Sequence, residues 1–271
     1  MRSLAVLLTL VFRANADAGD YYASIDTSLA DDQLRNALQT LISNRTEVDY
    51  DQVWDAFAVI DKSLPGYPCD PNDPSKIPDI YSSYCWTPAK GLDVGGECGN
   101  YKKEGDCFNR EHSWPKAWWG GFNAGEGAQT DLFELWPSDG YVNGLRGNLP
   151  FGNVVAGTET YTSTNGCRIG DCADLAGTKC FEPVDMFKGD LARTFFYLST
   201  LFEGVWNCCD NDYVEEADMK PWMEATLRQW HAADPVDTYE MSRNDLIFSK
   251  YQGNRNPFID HEEWVEQIAN F

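Results

Sequence analysis

The chain has three histidines, His112, His231 and His261, and one of them sits among residues able to do chemistry. His112 lies in the run Cys107-Phe108-Asn109-Arg110-Glu111-His112-Ser113-Trp114-Pro115-Lys116. Further on comes the stretch from Asp131 to Asn148, which carries Glu134, Asp139, Asn143, Arg146 and Asn148. Together these offer a base that titrates near neutrality, a carboxylate beside it, and an amide-rich turn with cations. Hard oxygen donors of this kind suit Mg²⁺, which takes a few protein oxygens and completes its shell with water and substrate phosphate. The set is one that could cleave a phosphodiester. A lone histidine serving only the core is the alternative that the residues themselves leave open.

Those residues need elements to position them. Leu34, Leu38, Leu41 and Ile42 fall on one face of a helix starting near Asp31, because residues three and four apart share a face. Val53, Trp54, Phe57 and Ile60 mark a second helix near 50–61, and Leu191, Phe195, Leu198 and Phe202 a third, stopped by Gly204. Met223, Leu227 and Trp230 follow Pro221 at a first-turn position, and Val236, Tyr239, Leu246 and Ile247 suggest a fifth. A sixth, near 261–269, is expected to be capped by Asp260, with Glu263 three residues on. Residues 62–180, rich in Gly, Pro and Cys, read as loops with a few short strands. The expected fold is α+β: a mostly helical single domain around a loop-rich, disulfide-bonded centre.

With 271 residues, 43% of them hydrophobic, the chain can bury a sizeable core. Arg2, the apolar run Leu4 to Phe12 and the small residues Ala14, Ala16 and Ala18 read as an export signal over residues 1–18. The working domain is then 19–271, secreted or periplasmic, with no membrane segment left after the signal is removed. All nine cysteines follow that signal, which suits an oxidising compartment. The closest spacing, Cys167, Cys172 and Cys180, has no C-x-x-C pair and no nearby histidine, so disulfides are favoured over zinc. Nine is odd, so one thiol is free or bridges two chains, and the oligomeric state stays open. Asn44-Arg45-Thr46 is a glycosylation sequon. The net charge of −22 opposes broad binding to a polyanion and demands that positive charge be concentrated locally or that a metal neutralise phosphate.

The run Asn109-Arg110-Glu111-His112-x-Trp114-Pro115-Lys116 resembles the signature of the endonuclease I family. So does Pro137-Ser138-Asp139-Gly140-Tyr141-Val142-Asn143-Gly144-x-Arg146-Gly147-Asn148-Leu149-Pro150-Phe151-Gly152. The likeness continues through Glu182-Pro183-x-Asp185, Lys188 to Arg193, and Gln252 to His261. It implies a ββα-metal motif in which Glu111-His112 ends the first strand, Asp131–Trp136 supplies the second and Asn143 opens the helix. It implies that Glu111 and Asn143 hold Mg²⁺, with Mn²⁺ or Ca²⁺ as substitutes, and that His112 is the general base. The implied substrates are DNA and RNA, cut with little sequence preference to leave 5′-phosphates. Arg146 or Arg193 is expected near the scissile phosphate, because guanidinium binds phosphate in a bidentate way. The alternative for Arg193 is an ion pair with Asp190 or a helix terminus. Arg110, Lys116, Lys102, Lys103 and Asn148 are expected backbone contacts; Asn254, Arg255 and Asn256 are read as a structural corner.

One departure stands out. The family pattern Asp-Leu-His-Asn-Leu is replaced here by Asp131-Leu132-Phe133-Glu134-Leu135. Loss of a histidine and an amide facing the site predicts reduced activity or altered metal preference, and a silent binding protein on the same scaffold becomes the rival reading. A glycosidase using paired carboxylates is a second rival, although no pair stands out.

Overall fold

In a computed structural model of the chain, the described residues are 18–62, 69, 73, 75–88, 96–120 and 127–271. Residues 1–17, which hold most of the expected export signal, lie outside them. Helices α1 (Ala18–Tyr21), α2 (Asp31–Ile42) and α3 (Gln52–Ile60) open the fold. In α2, Leu34, Leu38 and Ile42 are buried at a spacing of four, as the apolar periodicity requires. Two short strands, β1 (Ile77–Pro78) and β2 (Cys85–Trp86), then pair. Strand β3 (Phe108–His112) pairs antiparallel with β4 (Leu135–Asp139), setting Glu111 opposite Trp136 and His112 opposite Leu135.

Helix α4 (Gly140–Arg146) follows β4 without a loop. Its start is set by Asp139, whose side chain accepts the backbone N–H groups of Tyr141 and Val142, each at 2.9 Å. The expectation that Asn143 opens the helix is therefore corrected: it sits one turn inside. The second strand is also displaced from the expected Asp131–Trp136: it starts at Leu135 and runs on to Asp139. Residues 131–134 form a turn, because the Asp131 carboxylate accepts the Phe133 N–H and ties the chain off before Leu135.

A three-stranded sheet, β5 (Tyr161–Thr162), β6 (Arg168–Asp171) and β7 (Lys179–Glu182), leads to the central helix α5 (Lys188–Leu201). Helix α5 is buried on every side from Gly189 to Leu201. Strands β8 (Val214–Glu215) and β9 (Asp218–Met219) precede helices α6 (Pro221–Ala233) and α7 (Thr238–Lys250). The final helix expected near 261–269 is instead two single turns, α8 (Pro257–Asp260) and α9 (Trp264–Gln267). Asp260 does not cap; its carboxylate is taken by Arg255 at 2.6 and 2.8 Å and by the Tyr22 hydroxyl at 2.8 Å.

Among the described residues the disulfides join Cys69 to Cys85, Cys98 to Cys107, Cys172 to Cys180 and Cys208 to Cys209. Cys167 is the free, buried thiol. The α+β, disulfide-bonded single domain expected from the sequence is the fold observed. Among the described residues no helix is long and apolar enough to cross a membrane.

Candidate active site

The β3–β4 hairpin and α4 enclose an open cleft of about 350 Å³ lined by Tyr50, Arg110, Glu111, His112, Lys116, Asn143 and Asn148. Six of the expected site residues therefore meet, although they come from two separate segments, and Tyr50 joins them from a third. Asn254, Arg255 and Asn256 form the expected buried corner elsewhere.

Glu111 is 2% exposed. Its Oε1 accepts the Tyr81 hydroxyl at 2.6 Å and an Arg146 N–H at 2.8 Å. Burial pushes this carboxyl up, while Arg146 and Tyr81 pull it back. Both bonds go to Oε1, which leaves Oε2 for a ligand. Asn143 donates its amide N–H to Ser138 Oγ at 3.4 Å, and among the described residues its oxygen takes no hydrogen bond. A carboxylate oxygen and an amide oxygen facing one cleft are the donor chemistry Mg²⁺ accepts, and that ion keeps several waters. Among the described residues no three His, Cys, Asp or Glu side chains gather as a metal cluster. The pair therefore fits a part-hydrated cation better than zinc, which wants three or four protein ligands.

His112 Nδ1 lies 2.9 Å from Glu134 Oε2. Nε2 is buried, with no hydrogen-bond partner among the described residues. The ring lies nearly parallel to Tyr50, at a tilt of 20° and 6.2 Å between centroids, and edge-on to Trp119 at 5.7 Å. Burial holds the imidazole well below its ordinary range, and Lys116, Arg110 and Arg146 push the same way. Burial, with Glu111 and Asp131 adding to it, raises Glu134 well above the ordinary carboxylate range. The turn bearing Glu134 is fixed at several points. Leu132 N–H donates to Gln252 at 2.5 Å, the Tyr197 hydroxyl donates to Asp131 at 2.9 Å, and Ser113 Oγ donates to the Glu134 carbonyl at 2.9 Å. An imidazole with Nδ1–H held by a carboxylate leaves its Nε2 lone pair unpaired, as a general base requires.

The arginines fall differently from expectation. Arg146 lies beneath the cleft, 1% exposed. Besides Glu111 it donates to the carbonyls of His112 at 2.9 Å, Ser113 at 2.7 Å and Leu149 at 3.0 Å. It holds the Glu111 carboxylate and the His112–Ser113 backbone and is not open to a phosphate. Arg193 does not line the cleft. It is buried between α5 and α7, paired with both oxygens of Glu240 and bonded to the Asp234 carbonyl at 2.8 Å. Its ion-pair alternative is the one the structure adopts, with Glu240 as chief partner. Arg110 is the cleft's guanidinium: it lies 3.4 Å over the Tyr50 ring and 4.5 Å from that of Trp54, with one N–H on the Tyr50 carbonyl at 2.5 Å. His231 packs against Arg193 and His261 pairs with Glu263, both away from the cleft.

Sequence reasoning missed Tyr81 and Tyr50, and read Glu134 as a defect. The signal available for Glu134 was its place next to Leu135, the residue that pairs with His112. Phe133, the other departure, is 1% exposed and packs on Tyr197 at 4.8 Å, so it does not face the site.

The family model for Endonuclease I matches residues 30–263. The chain belongs to the endonuclease I family. Among the relatives of this endonuclease I chain is an extracellular ribonuclease of Bacillus subtilis (strain 168), 34% identical over 93% of this chain and 79% of the relative. An extracellular ribonuclease of Bacillus amyloliquefaciens is 34% identical over 95% of this chain and 81% of its own length. An extracellular deoxyribonuclease of Aeromonas hydrophila is 29% identical over 52% of each chain.

Proposed function

We propose that this protein is a secreted, metal-dependent endonuclease that hydrolyses phosphodiester bonds in DNA and RNA with little sequence preference. One observation carries the reading: Glu111, His112 and Asn143 converge on one cleft, and among the described residues His112 Nε2 has no hydrogen-bond partner. Relatives named as ribonucleases and as a deoxyribonuclease support the breadth of substrate.

Glu111 and Asn143 would hold Mg²⁺, or Mn²⁺ or Ca²⁺ in its place. When bound, the ion supplies Lewis acidity toward a phosphoryl oxygen and orients the phosphate. The remaining work belongs to side chains. His112 Nε2 takes a proton from the attacking water; the water oxygen bonds to phosphorus and the bond to the 3′-oxygen breaks. The product is a 5′-phosphate, and the leaving oxygen takes its proton from solvent. Glu134 accepts the Nδ1 proton in a hydrogen bond and stabilises the imidazolium that forms. Arg110, Lys116 and Asn148 hold the substrate backbone, which carries no sequence information. The 2′-hydroxyl has no part, so ribose and deoxyribose both serve. Arg146 and Arg193 act through the scaffold.

The test is degradation of supercoiled plasmid and of single-stranded RNA by the mature protein. Cleavage in Mg²⁺ that stops in EDTA and yields 5′-phosphate ends is expected. Cleavage that persists in EDTA, or yields 3′-phosphates, overturns the reading.

A further inference from the structure

Beyond the cleft, the disulfide-closed loop from Cys98 to Cys107 lies against α4. The Tyr101 ring rests on that helix: a Cβ on Gly144 would meet its hydroxyl at 2.7 Å, and one on Gly140 its ring at 2.9 Å. Gly140 and Gly144 share one face of α4, and the cleft-lining Asn143 lies on the face beside it.

The loop's charges are sorted by geometry. Glu104 is consumed by the Tyr161 hydroxyl at 2.7 Å and by the Thr164 N–H and hydroxyl at 2.8 and 2.5 Å. Asp106 accepts the backbone N–H groups of Lys102 and Lys103 at 2.8 and 3.1 Å. The acids are thus tied into the loop's own frame. Lys102 and Lys103 are exposed, and among the described residues their ammonium groups make no ion pair. Lys179, Lys188 and Lys220, by contrast, each lie 2.7 Å from a carboxylate. Exposed tyrosines flank the two lysines. Tyr101 is 36% exposed, and Tyr84, whose ring covers Gly105, is 40% exposed.

We propose that this loop is a docking platform for a single-stranded nucleic acid leaving the cleft over Gly144. Lys102 and Lys103 take phosphates, and Tyr101 and Tyr84 stack on unpaired bases, whose faces a duplex would hide. The proposal rests on the nuclease reading only for the identity of the polymer.

Fluorescence anisotropy of a labelled twenty-residue deoxythymidine oligomer, in EDTA so that nothing is cut, tests it with the intact disulfide-bonded protein. K102Q/K103Q should lower the slope of log affinity against log salt by about 1.4, the release expected from two single-strand phosphates. Y84S/Y101S should weaken binding about tenfold with the slope unchanged, and should not weaken binding of an abasic strand of equal length. An unchanged slope in the lysine variant, or equal losses on normal and abasic strands in the tyrosine variant, overturns the platform. So does equal affinity for duplex and single strand. A wild-type protein that binds the strand but cuts nothing in Mg²⁺ sinks the nuclease reading alone.

Discussion

Glu134 Oε2 stands 2.9 Å from His112 Nδ1, so the residue that departs from the family pattern is the one that fixes the His112 ring. A buried carboxylate there does what an amide acceptor does for the tautomer and adds a charge to the imidazolium. Burial holds His112 low and Glu134 high, and at hydrogen-bond distance the loss of a proton by one group affects the other.

The pair must lose its extra proton before Nε2 can act, so activity should rise with pH through the pair's apparent pKa. Glu134→Gln keeps an acceptor for Nδ1–H but removes the carboxylate. Its acidic limb should then move to lower pH, toward the depressed His112, while the plateau kcat falls about tenfold. A pH–rate profile of both proteins decides; an unmoved limb contradicts the coupling.

The same carboxylate affects stability with a definite sign. A group whose pKa is raised in the fold binds more protons folded than unfolded. Stability therefore falls as pH rises from the unfolded pKa of about 4.3 toward the higher folded one, by about 1.4 kcal/mol for each pH unit crossed. Glu134→Gln should flatten that decline. Urea unfolding at several pH values between the two measures it; equal slopes in both proteins would exclude a buried, ionising Glu134.

Arg110 and Arg146 should separate cleanly. Arg146→Met strips a buried carboxylate and three carbonyls of their donor and should cost about 3–5 kcal/mol of stability. Arg110→Ala removes a half-buried cleft cation and should lower kcat/KM about tenfold or more, with stability within about 1 kcal/mol. Thermal melts beside steady-state kinetics check both. A stable Arg146→Met with a selective loss of substrate binding would return Arg146 to the phosphate.

Gly140 matters for space. A Cβ there would lie 2.2 Å from Cys98 Sγ. Gly140→Ala should push α4 off the disulfide loop, cost about 1–3 kcal/mol and lower kcat by displacing Asn143. A melt and rate equal to wild type would show that the loop gives way freely.

Much of the site was legible because its parts are local. Glu111 and His112 share one short motif, and Asn143 and Asn148 share another, so residue type and order carry them. What stayed hidden was partnership. Arg146 and Arg193 have the right chemistry for phosphate, but only the fold shows that Glu111 and Glu240 have taken their donors. Glu134 stood out in the sequence as a departure from the family pattern, but only the hairpin, which puts it beside His112, shows what it does there. Asp260 looked like a cap because local spacing cannot show that Tyr22, far off in sequence, claims the same carboxylate.

The most direct test is the ratio of kcat/KM for wild type and His112→Ala on one RNA substrate in Mg²⁺, both proteins having matching circular dichroism and melting curves. Loss of the general base predicts a fall of about 10²–10⁴. A variant that cuts within a few fold of wild type would contradict it.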